Sequence, residues 1–322
     1  MSFLLTLIQA AGLGCASAAA GRRVMHYLQL ESYQLPGYIK SVKRNAMRAL
    51  IPPIAMAAVG VAALKVSGLF GLALLLEALT AALLAWQAAK EKAKKPFVAT
   101  ERVKRLTAVH AVVNTVLALI LLLISPTLGY LMPAFEPALL MLAAVVAAPM
   151  EKHIAGQFVK DAQARLAAQP DLIKIGITGS YGKTSTKFLL RDILSVKYNV
   201  LATPSSFNTT MGVTRVIREQ LTPAHQVFIA EMGARHVGDI RELVELVHPQ
   251  MGLITSVGPQ HLDTFGTIER VRDTKYELID GLPKDGTAIF ARDGAICEEL
   301  FDRCPLEKKY KPGMLVDAKD MA

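Results

Sequence analysis

A glycine-rich loop that ends in Gly-Lys-Thr is the part of this sequence whose residue types point most directly to chemistry. It reads Thr178-Gly179-Ser180-Tyr181-Gly182-Lys183-Thr184-Ser185. In such loops the glycines let backbone N–H groups approach phosphates, the lysine reaches the terminal phosphates and the threonine hydroxyl binds magnesium. The standard motif has another glycine five residues before Gly182, where this sequence has Ile177. The loop from Gly179 to Ser185 therefore predicts binding of ATP and Mg²⁺, with one departure from the standard motif.

The elements on either side of this loop are predicted to be a strand and a helix. Ile173, Ile175 and Ile177 alternate with Lys174 and Gly176, which is the pattern of a β-strand. After the loop, apolar residues recur at helical spacing as far as residue 194. A strand before the loop and a helix after it form the usual setting for phosphate binding, because the helix N-terminus adds positive potential.

Further strands and helices alternate along the second half of the chain. Apolar runs predict four more strands, at 199–203, 227–230, 251–255 and 288–290. Helical patterns separate several of them, at 211–220, 237–247 and 268–281. Alternation of this kind predicts an α/β P-loop domain whose mainly parallel sheet is covered on both faces.

Two side chains with metal-binding chemistry follow predicted strands. Glu231 comes directly after the run at 227–230, and His261 lies shortly after the run at 251–255. Ligands of parallel sheets bind beyond the carboxyl ends of the strands, so this carboxylate and this imidazole could hold magnesium beside the phosphates. Taken alone, Glu231 could equally be a solvated acid, and His261 a loop histidine.

The first half of the chain has the composition of a membrane region. Hydrophobic residues make up 52% of the chain and charged residues 20%, against about 25% charged in an ordinary soluble domain. We predict a membrane region at 1–149, a helical linker at 150–170 and an ATP-binding domain at 171–322. The first span could be a signal peptide, but it lacks a positive leading segment, which favours a retained helix. Five apolar segments are long enough to be candidate spans: Phe3–Ala20, Leu50–Leu64, Leu69–Ala89, Leu106–Ile124 and Tyr130–Ala148.

The net charge of +9 is distributed unevenly between the predicted loops. Loops 21–49 and 90–105 are rich in lysine and arginine, whereas residues 65–68 carry one charge and residues 125–132 carry none. The positive-inside rule then predicts a multi-pass cell-membrane protein with its N-terminus outside and the ATP-binding domain in the cytoplasm. This topology explains the basic charge better than a nucleic-acid surface does, so we expect no nucleic-acid partner.

A few other residues could carry chemistry. Glu77 and Glu136 lie in or near predicted spans, where a buried acid is a functional candidate. Each stands alone with no evident partner, so a packing or interfacial position is at least as well supported. Cys15, Cys297 and Cys304 lack the spacing of a disulfide framework or a zinc site, which predicts three free thiols.

Taken together, the motifs of residues 170–300 resemble those of the Mur ligase superfamily, cytoplasmic enzymes that use ATP to join amino acids or peptides to the peptidoglycan precursor. The resemblance is strongest to members that add D-alanyl-D-alanine to UDP-N-acetylmuramoyl-tripeptide. It implies a UDP-linked or lipid-linked cell-wall precursor and D-alanyl-D-alanine as partners. The matching segments are the phosphate loop Thr178–Thr184, the substrate-side loop Thr203–Gly212, the glutamate motif Glu231–Ala234, the histidine motif Gly258–Asp263 and Lys275.

The resemblance also implies roles for individual residues. Lys183, Lys275 and His261 would be catalytic, with Lys183 stabilising charge on the phosphates. Thr184 and Glu231 would hold one magnesium ion, while His261 and a carbamylated Lys275 would hold a second. Asp293 would lie beside the nucleotide, in addition to the loop residues from Gly179 to Ser185. The residues implied to bind substrate are Ser206, Asn208 and Thr209.

The sequence departs from the family in three places. Membrane spans stand where the family has its UDP-binding N-terminal domain, and Ala291 stands where an asparagine usually contacts adenine. We also expect residues 298–322 to be a linker or tail and the family's C-terminal domain to be missing, as in a partial sequence. Two functions remain: an ATP-dependent amide ligase acting through an acyl phosphate, or a membrane-anchored Mg-ATP-binding module that ligates nothing alone and serves as a fragment, regulator or subunit.

Overall fold

The computed structural model describes residues 3–91, 96–205 and 207–312. The chain divides into two compact units, Met1–His153 and Ile154–Ala322. The first unit is helical and the second is built around a parallel sheet. The boundary between the two units, at His153 and Ile154, falls inside the linker predicted for residues 150–170.

The helical unit consists mainly of long apolar helices. Among the residues that the structure describes, five helical segments are long and apolar enough to cross a membrane by length and composition, as the sequence predicts. The helices are α1 (Phe3–Ala20), α2 (Arg22–Leu30), α3 (Leu35–Arg44), α4 (Ala46–Ser67), α5 (Phe70–Lys90), α6 (Glu101–Ile124), α7 (Pro126–Leu131) and α8 (Glu136–Ala167), with a 3₁₀ turn at Met132–Phe135.

The helix boundaries differ from the predicted spans in two places. Pro52 and Pro53 lie inside α4 instead of opening it. Proline cannot donate a hydrogen bond to the carbonyl four residues earlier, and the guanidinium of Arg23 donates to that freed oxygen, the carbonyl of Arg48, at 3.0 Å. The fifth predicted span is not one helix at its start, because the 3₁₀ turn separates α7 from α8. The latter helix then continues to Ala167, so most of the predicted linker extends the same helix.

A buried polar cluster joins three helices of this unit. The Ser17 hydroxyl donates to Glu136 Oε2 at 2.6 Å, and His110 Nε2 lies 3.0 Å from Glu136 Oε1. Asn114 Nδ2 lies 3.2 Å from the same histidine nitrogen. The expectation that Glu136 has no partner was therefore wrong. Glu77 is also buried, and neither of its carboxylate oxygens has a hydrogen-bond partner within the described part of the chain.

The second unit is built on a six-stranded parallel sheet. Its strands are β1 (Ile173–Thr178), β2 (Val200–Ala202), β3 (Val227–Glu231), β4 (Met251–Ile254), β5 (Thr287–Phe290) and β6 (Lys308–Tyr310). They lie in the order β2-β3-β1-β4-β5-β6, and every neighbouring pair is parallel. The predicted parallel α/β architecture is confirmed, and β1 occupies the centre of the sheet between β3 and β4.

Side chains alternate between two hydrophobic cores on the two faces of this sheet. Ile175 and Ile177 of β1 contribute to one core, where Leu190 and Leu194 of the helix after β1 pack against them. The other core is larger and takes in the apolar faces of most of the remaining helices. Its covering helices are α10 (Thr210–Gln220), α11 (Asp239–Val247), α13 (Ile268–Asp280) and α14 (Gly294–Arg303); the sheet is also flanked by α9 (Lys183–Leu194) and the short α12 (Leu262–Phe265).

Residues 298–312 do not form the tail expected from the polar composition of residues 298–322. Residues Gly294–Arg303 form α14, and Leu300 and Phe301 of this helix are buried in the larger core. The strand β6 then pairs with β5 at the sheet edge, with Lys308 opposite Thr287. Residues 313–322 of the expected tail lie outside the described residues. All three cysteines are free, as predicted.

Candidate nucleotide-binding site

The glycine-rich loop leaves the carboxyl end of the central strand β1 and leads directly into α9. Gly182 precedes the helix in the left-handed conformation, with a φ of +80°. The helix begins at Lys183, so the backbone N–H groups of its first turn have no partner within the helix. These N–H groups and the helix dipole make this end of the sheet suited to bind phosphate.

A glycine is required at position 179 because the loop passes very close to the segment after β4. Its φ is +148°, and a Cβ placed there would lie 2.1 Å from Thr255 Oγ1 and 2.9 Å from the backbone nitrogen of Ser256. Both the backbone conformation and the available space therefore exclude a larger residue. The glycine lets the loop lie directly against the neighbouring strand end.

We expect Gly179→Ala to destabilise the α/β unit by roughly 1–3 kcal/mol, because the added Cβ meets backbone atoms and the φ angle is strained. Thermal unfolding of the full chain in detergent measures this loss. Gly156→Ala is the matched control, because nothing lies within 4 Å of a Cβ added at that position of α8. Equal unfolding temperatures for the two variants would show that the loop does not need this glycine.

Hydrogen bonds to the segment after β4 fix the shape of the loop. The backbone N–H of Ser180 donates to the carbonyl of Ser256 at 2.8 Å, and that of Tyr181 donates to the Ser256 hydroxyl at 2.7 Å. The Ser180 hydroxyl donates to the Gly258 carbonyl at 2.9 Å. Ser180 therefore supports the loop through its side chain, while the Tyr181 ring remains exposed.

Lys183 lies folded over its own loop. Its ammonium donates to the carbonyl of Gly179 at 2.5 Å and to that of Ser180 at 3.3 Å. Burial lowers the pKa of this lysine, and the negative charge of Glu231 opposes that shift. The cation is held at the mouth of the loop, where it can exchange carbonyl contacts for phosphate oxygens.

Glu231 lies at the end of β3 and is the centre of a buried polar cluster. The Thr184 hydroxyl donates to its Oε2 at 3.0 Å, the Lys187 ammonium to the same oxygen at 2.8 Å and the Asn208 amide to Oε1 at 3.1 Å. The structure thus brings together two predicted magnesium ligands, Thr184 and Glu231. A solvated acid is excluded, because the Glu231 side chain is 1% exposed.

Lys187 is the residue of this cluster that the sequence analysis did not identify. It is fully buried, and its ammonium also donates to the Ser205 carbonyl at 2.6 Å. The sequence did contain an indication that Lys187 lies near the site. It is four residues after Lys183 on α9 and therefore shares the same face of the helix. Lys187 links α9, β3 and the loop before α10 through one charge.

The loop at 203–209 carries the residues implied to bind substrate. Asn208 is turned inward to Glu231, and its backbone carbonyl accepts from Gly233 at 2.7 Å. Thr209 caps α10, since its hydroxyl accepts from the backbone N–H of Gly212 at 3.3 Å. Ser206 lies outside the described residues. The two described residues therefore have local structural roles, and Asn208 connects this loop to the carboxylate.

The structure gives His261 and Lys275 very different surroundings. His261 is exposed and precedes α12 in the left-handed conformation. Partial burial and the charges of Arg235, Lys275 and Lys183 lower its pKa. Lys275 is buried in α13, and this burial, with the nearby Lys183 charge as a smaller contribution, lowers its pKa to about 8. The mutual influence of these charges indicates that His261 and Lys275 face the same region as Lys183.

A pocket of about 400 Å³ lies beside the loop, at the carboxyl ends of β4 and β5. Tyr181 and Gly182 line it from the loop, while Ala291 and Asp293 line it from the segment after β5. Apolar residues of β4 and β5 form much of the rest. Its size and lining suit a flat aromatic group such as a nucleobase. Asp293 therefore lines the same pocket as the loop residues Tyr181 and Gly182.

The residues present fit a magnesium ion bound with a nucleotide at one position. Thr184 and Glu231 offer adjacent hydroxyl and carboxylate oxygens, which are the donors that Mg²⁺ prefers. Within residues 3–91, 96–205 and 207–312, no three His, Cys, Asp or Glu side chains cluster as a metal site. A nucleotide-linked ion at Thr184 and Glu231 needs no such cluster, because phosphates and water complete its coordination.

Comparisons with known proteins find relatives for the α/β unit. Residues 177–313 match the family model of the Mur ligase middle domain. The UDP-N-acetylmuramoyl-tripeptide–D-alanyl-D-alanine ligase of Synechocystis is 40% identical over 129 residues, which are 40% of this chain and 28% of that protein. The protein of the same name from Escherichia coli is 34% identical over 158 residues, 47% of this chain and 35% of that protein. The match thus spans about a third of these relatives.

Solved structures of the same group of enzymes are also similar. The crystal structure of MurF from Acinetobacter baumannii has 28% sequence identity and a TM-score of 0.45, and the similarity covers 49% of this chain and 34% of that one. The MurF ligase from Thermotoga maritima, solved in complex with ADP, has 29% identity and a TM-score of 0.44, with 49% and 35% covered.

Proposed function

Since residues 177–313 of this chain match the family model of the Mur ligase middle domain, we propose that the chain supplies the ATP-binding part of a membrane-anchored amide ligase. This ligase acts on a UDP-linked or lipid-linked peptidoglycan precursor and adds D-alanyl-D-alanine to it. The sequence similarity to ligases of that name supports the choice of substrates.

One observation carries this proposal. The phosphate loop, the Thr184 hydroxyl and the Glu231 carboxylate meet at one end of the sheet, beside a pocket large enough for a nucleobase. Lys183 adds a positive charge over the loop. A phosphate-binding loop, a magnesium-type oxygen pair and a nucleobase pocket together are what an enzyme of phosphoryl transfer requires.

The proposed reaction has two steps. A carboxylate of the precursor attacks the γ-phosphate of ATP, which gives an acyl phosphate and ADP. The amine of D-alanyl-D-alanine then attacks the acyl carbon, forms the amide and releases phosphate. Lys183 and the N–H groups at the start of α9 neutralise charge on the phosphates, which is the main catalytic contribution in phosphoryl transfer. Bound Mg²⁺ would supply further charge neutralisation at Thr184 and Glu231.

We further propose that the helical unit anchors the chain in the cell membrane, with the N-terminus outside and the α/β unit in the cytoplasm. Large aliphatic side chains are exposed along its helices at four-residue spacing, among them Leu75, Leu79 and Leu83 of α5. Such a row of exposed leucines is costly in water and favourable in a bilayer. The basic loops 21–49 and 90–105 support the orientation.

Lys275 is proposed to be carbamylated, and formation of this carbamate should depend on pH. Carbon dioxide reacts with the neutral amine only, and the pKa of about 8 means that the neutral fraction rises as pH increases through 8. A ¹³C carbamate signal from ¹³C-bicarbonate should therefore appear in the full chain, increase between pH 7 and 9 and disappear in Lys275→Arg. Lys284→Arg, an exposed control, should retain it; a signal that survives Lys275→Arg would contradict the assignment.

The proposed activity is tested by phosphate release from ATP with the full chain in detergent. Release that requires both UDP-N-acetylmuramoyl-tripeptide and D-alanyl-D-alanine, with formation of the amide product, is the expected result. Binding of ATP without substrate-dependent turnover would instead support the Mg-ATP-binding module that acts only with a partner. Absence of ATP binding would contradict both functions.

A further inference from the structure

The junction between α3 and α4 carries four positive charges, most of which have no acidic partner among the described residues. Residues Lys40 to Arg48, here called the basic junction, include Lys40, Lys43, Arg44 and Arg48, all exposed. The sequence from Ser32 to Leu76 contains no aspartate or glutamate. The charge of this segment must therefore be balanced from elsewhere in the chain or from outside it.

Some other arginines of the helical unit do have acidic partners. Arg23 pairs with Glu91, and Arg105 donates to Glu151 at 2.7 Å. Within the described ranges of the chain, no carboxylate lies within 4 Å of Lys40, Lys43 or Arg48. Three of the four cations of the basic junction therefore have no acidic partner among the described residues.

Arg44 forms only a weak ion pair with an acidic residue. It reaches Glu31 at 4.0 Å, with a side chain that is 75% exposed. Its other partner is the Ser41 hydroxyl at 3.3 Å. An ion pair so long and so exposed contributes little energy, which leaves Arg44 available to an external anion.

The basic junction also has a concave shape. A cavity of about 390 Å³ is lined by the six consecutive residues Lys43 to Arg48. α4 begins at Ala46 within this stretch, so backbone N–H groups of its first turn add positive potential to the three cationic side chains. The cavity is large enough for a phosphate group together with its neighbouring atoms.

Exposed aliphatic side chains border these cations. Met47 is 72% exposed and Ile51 is 52% exposed, one turn further along α4. Ile39 of α3 is exposed next to Lys40. A nucleic acid offers phosphates but no hydrocarbon to such side chains, whereas a phospholipid offers both within a few ångströms. The mixture of charge and apolar surface therefore favours a lipid.

We propose that the basic junction binds the headgroup of an anionic phospholipid, with Lys40, Lys43, Arg44 and Arg48 around the phosphate and with Met47 and Ile51 against the acyl chains. This inference rests on the proposed membrane insertion of the helical unit. The bound lipid would fix the depth at which α4 enters the bilayer on the side where the basic loops lie.

The test uses the full chain reconstituted in phosphatidylcholine vesicles that contain spin-labelled phosphatidylglycerol or spin-labelled phosphatidylcholine. Electron spin resonance measures how much of each label is motionally restricted by the protein. We expect a preference for phosphatidylglycerol that falls at least ~threefold in Lys40→Gln/Lys43→Gln. Lys160→Gln/Lys197→Gln removes equal charge from exposed positions of the α/β unit and should leave the preference unchanged.

Three results would overturn the inference, and they are distinguishable. Equal restriction of the two labels by the unmodified chain would mean that no anionic lipid is preferred. A preference unaffected by Lys40→Gln/Lys43→Gln would place the lipid elsewhere. Restriction of neither label would show that the helical unit does not enter the bilayer, which contradicts the proposed anchoring itself and the lipid site with it.

Discussion

Replacing Lys183 with alanine should weaken binding of Mg-ATP to the full chain by about 10- to 150-fold, which corresponds to the loss of one charged hydrogen bond of roughly 1.5–3 kcal/mol. The ammonium lies over the loop carbonyls of Gly179 and Ser180, and Lys183 is itself the first residue of α9. Phosphate oxygens would take the place of these carbonyls. The side chain of alanine has no hydrogen-bond donor for these phosphate oxygens.

Isothermal titration of the detergent-solubilised chain with Mg-ATP measures this effect. Lys197→Ala is the matched control, because Lys197 is an exposed lysine of the same unit that follows α9. Membrane insertion should be the same for both variants, since neither residue belongs to the helical unit. An unchanged affinity of Lys183→Ala would contradict the assignment of the phosphate loop.

The second large effect is expected at Lys187. Lys187→Met should destabilise the α/β unit by about 3–5 kcal/mol, because it leaves the buried Glu231 carboxylate without its cation. The pair is 2.8 Å apart and both side chains are almost completely shielded from solvent. Thermal unfolding of the full chain measures the loss, and Lys197→Met provides an exposed control.

A double variant separates charge from packing in this cluster. Lys187→Met/Glu231→Gln removes both charges and should recover much of the lost stability, because no uncompensated charge remains. It should not recover binding of Mg-ATP, because the proposed magnesium ligand is lost. Recovery of nucleotide affinity in the double variant would contradict the role of Glu231 as a magnesium ligand. An unchanged stability of Lys187→Met would contradict its role as the buried partner of Lys187.

The sequence predicts the central elements of the α/β unit well for a physical reason. β1, β3 and β4 are buried strands with continuous or alternating apolar residues, and the glycine loop marks where β1 ends. By contrast, β6 is a three-residue edge strand of polar composition, Lys308–Tyr310, preceded by Pro305. Its position depends on pairing with β5 and not on a local pattern, so composition alone suggested a tail.

The site was predictable where it depends on motifs and not where it depends on long-range contacts. The loop from Gly179 to Ser185 and the position of Glu231 follow from strand ends and residue types. The buried partner Lys187 is 44 residues from Glu231 in sequence, and His110 pairs with Glu136 across separate helices. Such pairs form only when the elements pack. Helical spacing places Lys187 on the same face as Lys183, but no local pattern identifies Glu231 as its partner.

Glu231 connects the phosphate loop to the loop that precedes α10. Glu231 is in contact both with Thr184 at the start of α9 and with Asn208 of the loop implied to bind substrate. A change at the phosphate loop would therefore be transmitted to the 203–209 loop through one carboxylate. Lys187 stabilises the same connection through the Ser205 carbonyl.

We propose that ATP binds across the phosphate loop with its base in the adjacent pocket. Photolabelling of the full chain with 8-azido-ATP and magnesium, followed by peptide mapping, tests it directly. The label should fall on residues that line this pocket, such as Tyr181 or Ala291, and excess ATP should prevent labelling. Labelling confined to other parts of the chain, or labelling that ATP does not prevent, would contradict the account.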